Sequence, residues 1–329
     1  VSTQSGVDSV DTAVGARRRA GGRPMSTGRA GDRIFAGAAR GSGVLVLAIM
    51  AAIAVFLVWK AIPALQANKA NFLTSQDWDP NATPPKFGIV QLAFGTVVSS
   101  ALALLLATPV AIGIALFIAF YSPRRIASGL GYVVDLLAAV PSIVYGLWGL
   151  LVLAPNMEGV SKALNGALGW IPFFGGDSPG KNSLFTASVV LAIMILPIIS
   201  SISREVFLQV PRAHVEAALA LGATRWEMIR LSVLPYGRSG VIGASMLGLG
   251  RAMGETIAVA MVLTFAPGVN IHLLEDGGNT FAANIAKSFG EATATGRGAL
   301  IASGLVLFVI TLVVNMAARA VVARRKEFV

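Results

Sequence analysis

Val210-Pro211-Arg-Ala-His-Val-Glu216-Ala217-Ala218-Leu219-Ala-Leu221-Gly222-Ala-Thr224-Arg225-Trp-Glu227-Met-Ile-Arg-Leu-Ser232-Val-Leu234-Pro235 is the stretch on which the fold turns. Pro211 suits the first position of a helix, where its missing N–H is not needed and its fixed φ is helical. Gly222 supplies the left-handed residue that ends such a helix. Thr224 and Glu227 have the spacing of a capping box, which starts a second helix, and Pro235 is expected to close it. The segment therefore predicts a short helix, a sharp turn and another helix.

The flanks of this segment decide where it lies. Upstream, 184–203 is apolar; downstream, 239–266 is apolar apart from two charges. A bilayer-spanning helix needs about 20 mostly apolar residues, and four further segments qualify: 43–64, 91–120, 132–154 and 298–322. The second of the six is long, with no charge between Phe87 and Tyr121. It reads either as one long helix or as two spans broken near Pro109.

Charge distinguishes these. With six spans, eighteen Lys and Arg residues fall on one side, including the arginines of residues 1–42, Arg124, Arg125, Arg204 to Arg238, and the C-terminal cluster. Seven fall on the other side, and Arg251 on neither. That bias obeys the positive-inside rule, and splitting the second segment would destroy it. The reading is an all-α integral membrane protein of six transmembrane helices with both termini cytoplasmic. Residues 1–42 are a basic, mostly disordered tail. Residues 43–90 are the first span and an outer loop, 91–322 a core of five spans with loop 210–235, and 323–329 a basic cytoplasmic end.

Composition agrees. Of 329 residues, 55% are hydrophobic and 13% charged, about half the charge of a soluble chain. Mean hydropathy is +0.74. Cysteine is absent and histidine occurs twice, which excludes a disulfide scaffold and argues against a zinc site. The net charge of +10 follows mostly from topology, so nucleic acid is not expected as a partner. The first residue, Val1, is consistent with a non-ATG start codon read literally. The apolar run after the tail has no clear cleavage site, so it reads as a retained anchor rather than a signal peptide.

On the water side, Ala217, Ala218, Leu219 and Leu221 make a short apolar helix that needs a cover, either its own bundle or a partner. Within the membrane, Gly248-Leu-Gly250-Arg251-Ala-Met-Gly254-Glu255-Thr256 places two charges in the fifth span. A charge at a helix centre costs at least about 2.5–3.5 kcal/mol. Four residues apart on one helix, Arg251 and Glu255 can pair. The pair serves either as a structural tie or as part of an anion pathway. Gly250 and Gly254 form a G-x-x-x-G element that favours close helix approach. Ser142 and Tyr145 in the third span, Thr96, Ser99 and Ser100 in the second, and Ser200, Ser201 and Ser203 in the fourth either line a polar path or bond between helices. Asp135 suits a helix-end hydrogen bond better than substrate contact. Pro141 and Pro197 bend their helices at gates or for packing. Three outer loops, 66–90, 155–183 and 267–297, hold Asp77-Trp-Asp-Pro80, Gly169-Trp-Ile-Pro-Phe-Phe174, and His272 with Glu275 and Asp276; their aromatics suit the membrane interface or a docking partner.

Glu216-Ala217-Ala218, Gly222 and Leu234-Pro235 resemble the EAA loop of ATP-binding-cassette importer permeases, with Ser232 where that motif usually has Ile. Gly31-Asp-Arg-Ile-Phe35, Asp77-Trp-Asp-Pro80, Val140-Pro-Ser-Ile-Val-Tyr-Gly-Leu-Trp-Gly149, Ile195 to Glu205 and Gly250 to Thr256 together resemble the PstC family of phosphate importer permeases. The resemblance implies a MetI-like core. It also implies a pathway role for Arg251 and Glu255, with Thr256, Ser142 and Tyr145 beside them, and ATPase coupling through Glu216, Ala217, Ala218, Gly222 and Arg225. The implied partners are a second permease (PstA-like), two ATPase subunits (PstB-like) and an extracytoplasmic phosphate-binding protein (PstS-like), in a bacterial plasma membrane with its lipid. No cofactor is expected on this chain. No G-x-x-x-x-G-K-[ST] occurs, Gly180-Lys181 being followed by Asn182, so ATP and Mg belong to the partner ATPase. The competing readings are a permease for another oxyanion or small polar solute, and an ATP-independent channel or secondary transporter. A membrane enzyme is disfavoured by the lack of any catalytic motif.

Overall fold

The computed structural model describes residues 30–323. The basic segment 1–29 and the C-terminal Arg324, Arg325 and Lys326 lie outside the described residues. Helix α1 (Ala30–Ala67) begins inside the segment read as a tail, so residues 30–42 are helical. The chain divides into two units, up to Ile53 and from Ala54 onward; in the first, residues 31–53 are exposed throughout.

A hairpin of β1 (Trp78–Asp79) and β2 (Lys86–Phe87) follows, antiparallel with Trp78 opposite Phe87. Phe87 is fully buried, with Phe72 and Trp78 edge-on to it at 6.0 and 5.9 Å. Asn68 fixes this hairpin by donating to the Phe87 carbonyl at 2.7 Å and accepting the Phe87 N–H at 3.1 Å.

Helix α2 (Val90–Leu116) continues through a π-helical turn, Phe117–Tyr121, as one run of 32 residues. Pro109 does not break it, as the charge argument requires. Helix α3 (Arg124–Ala138) ends before Pro141, and α4 (Ser142–Trp148) runs through π-helical Gly149–Leu153 into α5 (Ala154–Leu168). The expected third span, 132–154, is corrected here. Pro141 disfavours helical backbone at Val140, so the helix stops and restarts, and the long apolar run is 142–168. The expected outer loop 155–183 is accordingly helical to Leu168.

Helix α6 (Leu184–Leu208) is capped by Ser183, whose hydroxyl accepts the Thr186 N–H at 3.2 Å. Then come α7 (Arg212–Ala220), α8 (Arg225–Met228), π-helical Ile229–Val233 and α9 (Leu234–Met253). Pro235 does not close a helix, contrary to expectation. It lies in the first turn after the π-helical segment, whose wider turn accommodates a ring that clashes in a regular helix interior. The series ends with α10 (Ile257–Val262), α11 (Phe281–Ser288) and α12 (Ala294–Ala323).

Five described helical runs are long and apolar enough to cross a membrane: 31–67, 90–121, 142–168, 184–208 and 294–320. The sixth apolar segment, 239–266, is divided between α9 and α10. In a bilayer, apolar transfer gives helices no reason to associate, so close packing of small residues has to. The core obeys this. Ala103, Ala107, Ala111 and Ala115 repeat every fourth residue along α2 and are all buried. Ala187, Val190, Leu191, Met194, Ile195 and Ile199 of α6 fill the same core. Gly237 and Gly240 of α9 lie against Phe207 and Val206, and Gly248 against Ile199. The expected G-x-x-x-G contact is not made: nothing outside its own helix lies within 4 Å of a Cβ at Gly250 or Gly254. The close approach of α9 uses the Gly237–Gly240–Gly248 face.

Candidate functional site

The charged centre of the fifth apolar segment is a break in the helix. α9 ends at Met253, Gly254 is its C-terminal cap, and α10 starts at Ile257. The local sequence explains this. Gly is a poor helix interior residue, and the two side chains that follow satisfy the backbone the break releases. Glu255 Oε1 accepts the Ala258 N–H at 3.2 Å, and the Thr256 hydroxyl donates to the Gly254 carbonyl at 3.1 Å. Non-helical backbone at membrane depth is tolerable only with such partners. The Glu255 carboxylate also lies at the positive end of α10.

The expected Arg251–Glu255 ion pair is therefore corrected. Among the described residues no salt bridge joins them. The four-residue spacing aligns two side chains only on a continuous helix, and this helix stops between them. Glu255 is buried at 9% exposure, whereas Arg251 is exposed. Arg251 stands in the last turn of α9, just before the break. Tyr145 donates to the Leu137 carbonyl at 2.9 Å, bridging the Pro141 break. Ser142, one turn before Tyr145, is half-buried, as is Thr256. α4 and α10 are in direct contact: a side chain at Gly146 would meet the Ala258 backbone at 2.8 Å and Met261 Sδ at 2.9 Å. The structure thus gathers Arg251, Glu255, Thr256 and Tyr145 around two adjacent helix breaks, with Ser142 beside them.

The other end of α10 is tied with equal care. Asn182 donates to the Val262 carbonyl and Lys287 to the Leu263 carbonyl, both at 2.7 Å. A cation at a helix C-terminus is favourable, and burial pushes the Lys287 ammonium below its usual range. Sequence reasoning missed both residues. The only signals were an Asn beside the Ser183 cap and a lone Lys late in an outer-loop helix. The outer loops interlock nearby. Glu275 accepts from Asn270 Nδ2 at 2.6 Å and from the Asp177 N–H at 3.0 Å, and Asp276 accepts the Asn182 N–H at 2.6 Å.

The polar residues of the second and fourth spans bond mostly within their own helices. Thr96 and Ser100 donate to carbonyls one turn back, and Thr96 Oγ1 accepts the Phe281 N–H at 3.1 Å. Ser99 donates to Thr96 O and Ser200 to Pro197 O, while the buried Ser203 hydroxyl has no partner. Ser201 donates to Asp135 at 2.6 Å, a bond between α6 and the last turn of α3 where a helix-end bond was expected.

The helix–turn–helix is as expected in its chemistry. Gly222 has φ +85°, and Thr224 with Glu227 forms the complete capping box. α7 has no buried residue. Val215 and Ala218 lean on a cluster of Phe207, Val210, Met228, Ile229 and Val233, so the helix is seated on its own bundle by one edge. Its other face is uncovered: Glu216 and Ala217 are exposed, as are Leu221 at its C-terminal cap, at 89%, and Arg225 of α8. Ser232 donates to the His214 carbonyl at 3.5 Å, tying α7 to the following turn. A cavity of about 620 Å³ opens beside α7, lined by Ala217, Ala218, Leu221, Gly222 and Leu231.

Residues 111–327 match the family of binding-protein-dependent transport system inner membrane components. The phosphate transport system permease protein PstC 2 of Mycobacterium tuberculosis (strain H37Rv) is 51% identical over 304 residues, covering 90% of this chain and 93% of that protein. The phosphate transport system permease protein PstC of Mycobacterium leprae (strain TN) is 49% identical over 295 residues, covering 88% and 92%. Among solved structures, an inward-facing form of the MetNI methionine ABC transporter matches with a TM-score of 0.55 at 14% identity, over 72% of this chain and 95% of that one. At that identity the likeness is one of fold.

Proposed function

This chain belongs to the family of binding-protein-dependent transport system inner membrane components, and from that premise we propose that it carries inorganic phosphate across the membrane as the permease subunit of an ATP-binding-cassette importer. It is a non-catalytic membrane subunit. The cargo rests on the relatives, which are named for phosphate transport and reach 51% identity over 90% of this chain. The single structural observation that carries the mode of action is the uncovered helix α7, with Leu221 at 89% exposure. An apolar side chain so placed on a short polar-flanked helix is a contact waiting for a partner.

The partner set follows. A PstB-like ATPase pair, with ATP and Mg, receives α7 and the cavity beside it, with Glu216, Ala217, Ala218, Gly222 and Arg225 at the contact. A PstA-like permease shares the bundle, and a PstS-like phosphate-binding protein docks on the outer loops. The basic termini and α7 face the cytoplasm of a bacterial plasma membrane, in keeping with the positive-inside bias.

The pathway runs past the break at Gly254–Thr256. Arg251, unpaired by Glu255, offers charge-assisted donors to a passing oxyanion. Glu255, held by the Ala258 N–H, opposes a fully ionised anion and can accept a hydrogen bond from the O–H of hydrogen phosphate, which favours phosphate over sulfate. Transport also requires binding weak enough to release, and the exposure of Arg251 keeps its hold on an anion modest.

The test is uptake of labelled phosphate into vesicles by the assembled complex and by the purified chain alone. ATP-dependent uptake is expected only with the complex, and Leu221→Asp should abolish it by breaking ATPase contact. ATP-independent uptake by the chain alone would replace this reading with a channel or secondary transporter. Sulfate uptake equal to phosphate would replace the cargo.

A further inference from the structure

A second concentration of charge lies away from the α9–α10 break. The π-helical turn Phe117–Tyr121, α3, the end of α6 and the start of α7 enclose a cleft of about 590 Å³. Three guanidinium groups line it, those of Arg124, Arg204 and Arg212, with Asp135 and Glu205 as counter-charges. Arg204 is fixed in place: its Nη2 lies 2.9 Å from Glu205 and 3.7 Å from Asp135. Its guanidinium also rests on Gly131, where any side chain would collide with it. Its Nε is enclosed without an acceptor.

Arg124 and Arg212 have no carboxylate partner among the described residues. Two arginines without a carboxylate partner therefore line one concavity, whose wall also includes Ile118, Leu208 and the hydroxyl-bearing Ser122 and Ser128. The guanidinium fork matches phosphate oxygens in two-point contacts. The first turn of α3 adds backbone N–H groups that no side chain caps, a favourable setting for an anion. α3 itself has the make-up of an interfacial helix: arginines at its start, then exposed Ile126, Leu130, Val133 and Leu136.

We infer that this cleft is a binding site for a phosphate group, held by Arg124, Arg204 and Arg212 where α3, α6 and α7 meet. The group is either the headgroup of an anionic phospholipid at the membrane surface or a free inorganic phosphate ion. Because α7 begins in the cleft wall, an occupant there bears on the helix that meets the ATPase. The site goes beyond the translocation reading and does not depend on it.

The experiment uses the permease–ATPase complex without the phosphate-binding protein and carrying Arg251→Gln, so that neither that protein nor the pathway adds phosphate binding of its own. Retention of phosphatidylglycerol is measured by native mass spectrometry in mild detergent, and binding of labelled inorganic phosphate by equilibrium dialysis. At least one probe should bind saturably, and Arg124→Gln with Arg212→Gln should weaken it tenfold or more. Ser128→Asp, which adds a carboxylate to the cleft on an exposed helix face and removes no arginine, should do the same. It serves if the double variant fails to assemble. Arg124→Lys with Arg212→Lys should lose less. Loss confined to phosphatidylglycerol identifies a lipid site, and loss confined to phosphate identifies a free-ion site. Failure of both probes to bind, or binding of both unchanged in the Gln and Asp variants, overturns the inference.

Discussion

Gly222 sits at φ +85° with nothing of this chain within 4 Å of where a side chain would stand, so within the chain its role is conformational. Left-handed backbone costs a side-chain-bearing residue about 1–2 kcal/mol. Gly222→Ala should destabilise the α7 turn by about that much, with Gly222→Asn milder. Hydrogen exchange over residues 212–233 checks it: protection should fall in the Ala variant, and unchanged protection would contradict the assignment. This residue was legible because a helix stop followed by a capping box needs only local chemistry. Arg251 and Glu255 were legible as anomalies but not as geometry. Their pairing presumed a continuous helix, and the Gly254 cap with the Glu255 and Thr256 side-chain bonds undoes that presumption. Glu275 gives a pH prediction. The Asn270 amide holds its carboxyl below the ordinary carboxylate range, helped by the Ser178 and Asp177 N–H groups and His272 and opposed by partial burial. A pKa lowered by folding stabilises the folded state above the unfolded value, about 4.3, and that stability is lost as pH falls through the folded value. The melting temperature should therefore fall more steeply below pH 4 in the wild type than in Glu275→Gln. Parallel curves would sink the assignment.

At the scale of elements, α10 is a six-residue helix kept in place by what surrounds it. Glu255 bonds its first turn, Asn182 and Lys287 its last, and Gly146 lets α4 close on its side. Removing a donor from a buried carbonyl costs about 1–3 kcal/mol, so Lys287→Met should lower stability by that order, and Asn182→Ala likewise. Denaturation monitored in detergent would show it, and a Lys287→Met variant as stable as wild type would mean the α10 end is not under this constraint. The spans were legible as apolar runs, and charge alone settled that 90–121 is unbroken. Their interruptions were less so. Pro141 and Pro235 are both prolines in apolar surroundings, yet the first separates two helices and the second is absorbed by a π-helical turn. That difference depends on hydrogen-bond register, which no single residue type announces. The same holds for α9, whose packing face is Gly237–Gly240–Gly248 rather than Gly250–Gly254.

Across the whole molecule the two ends do different work. The end that carries the β-hairpin is cross-linked by side chains: Asn68 on the hairpin, Glu275 and Asp276 between loops, Lys287 on α10. The end that carries α7 leaves it seated by one edge and otherwise open. Motion delivered to α7 would pass through the cluster of Phe207, Met228 and Ile229 into α6 and α9, and α9 ends at the break. Thr224→Ala, which removes the capping box at a cost of about 1 kcal/mol, should therefore reduce phosphate uptake by the complex more than it reduces assembly. Uptake and assembly falling in step would argue against such transmission. The central claim concerns the break itself. The direct measurement is ATP-driven uptake of labelled phosphate by the assembled complex carrying Arg251→Gln or Glu255→Gln, with ATPase activity followed in parallel. The account predicts that each variant assembles and hydrolyses ATP yet loses phosphate uptake at least tenfold. Uptake at the wild-type rate in both variants would contradict it.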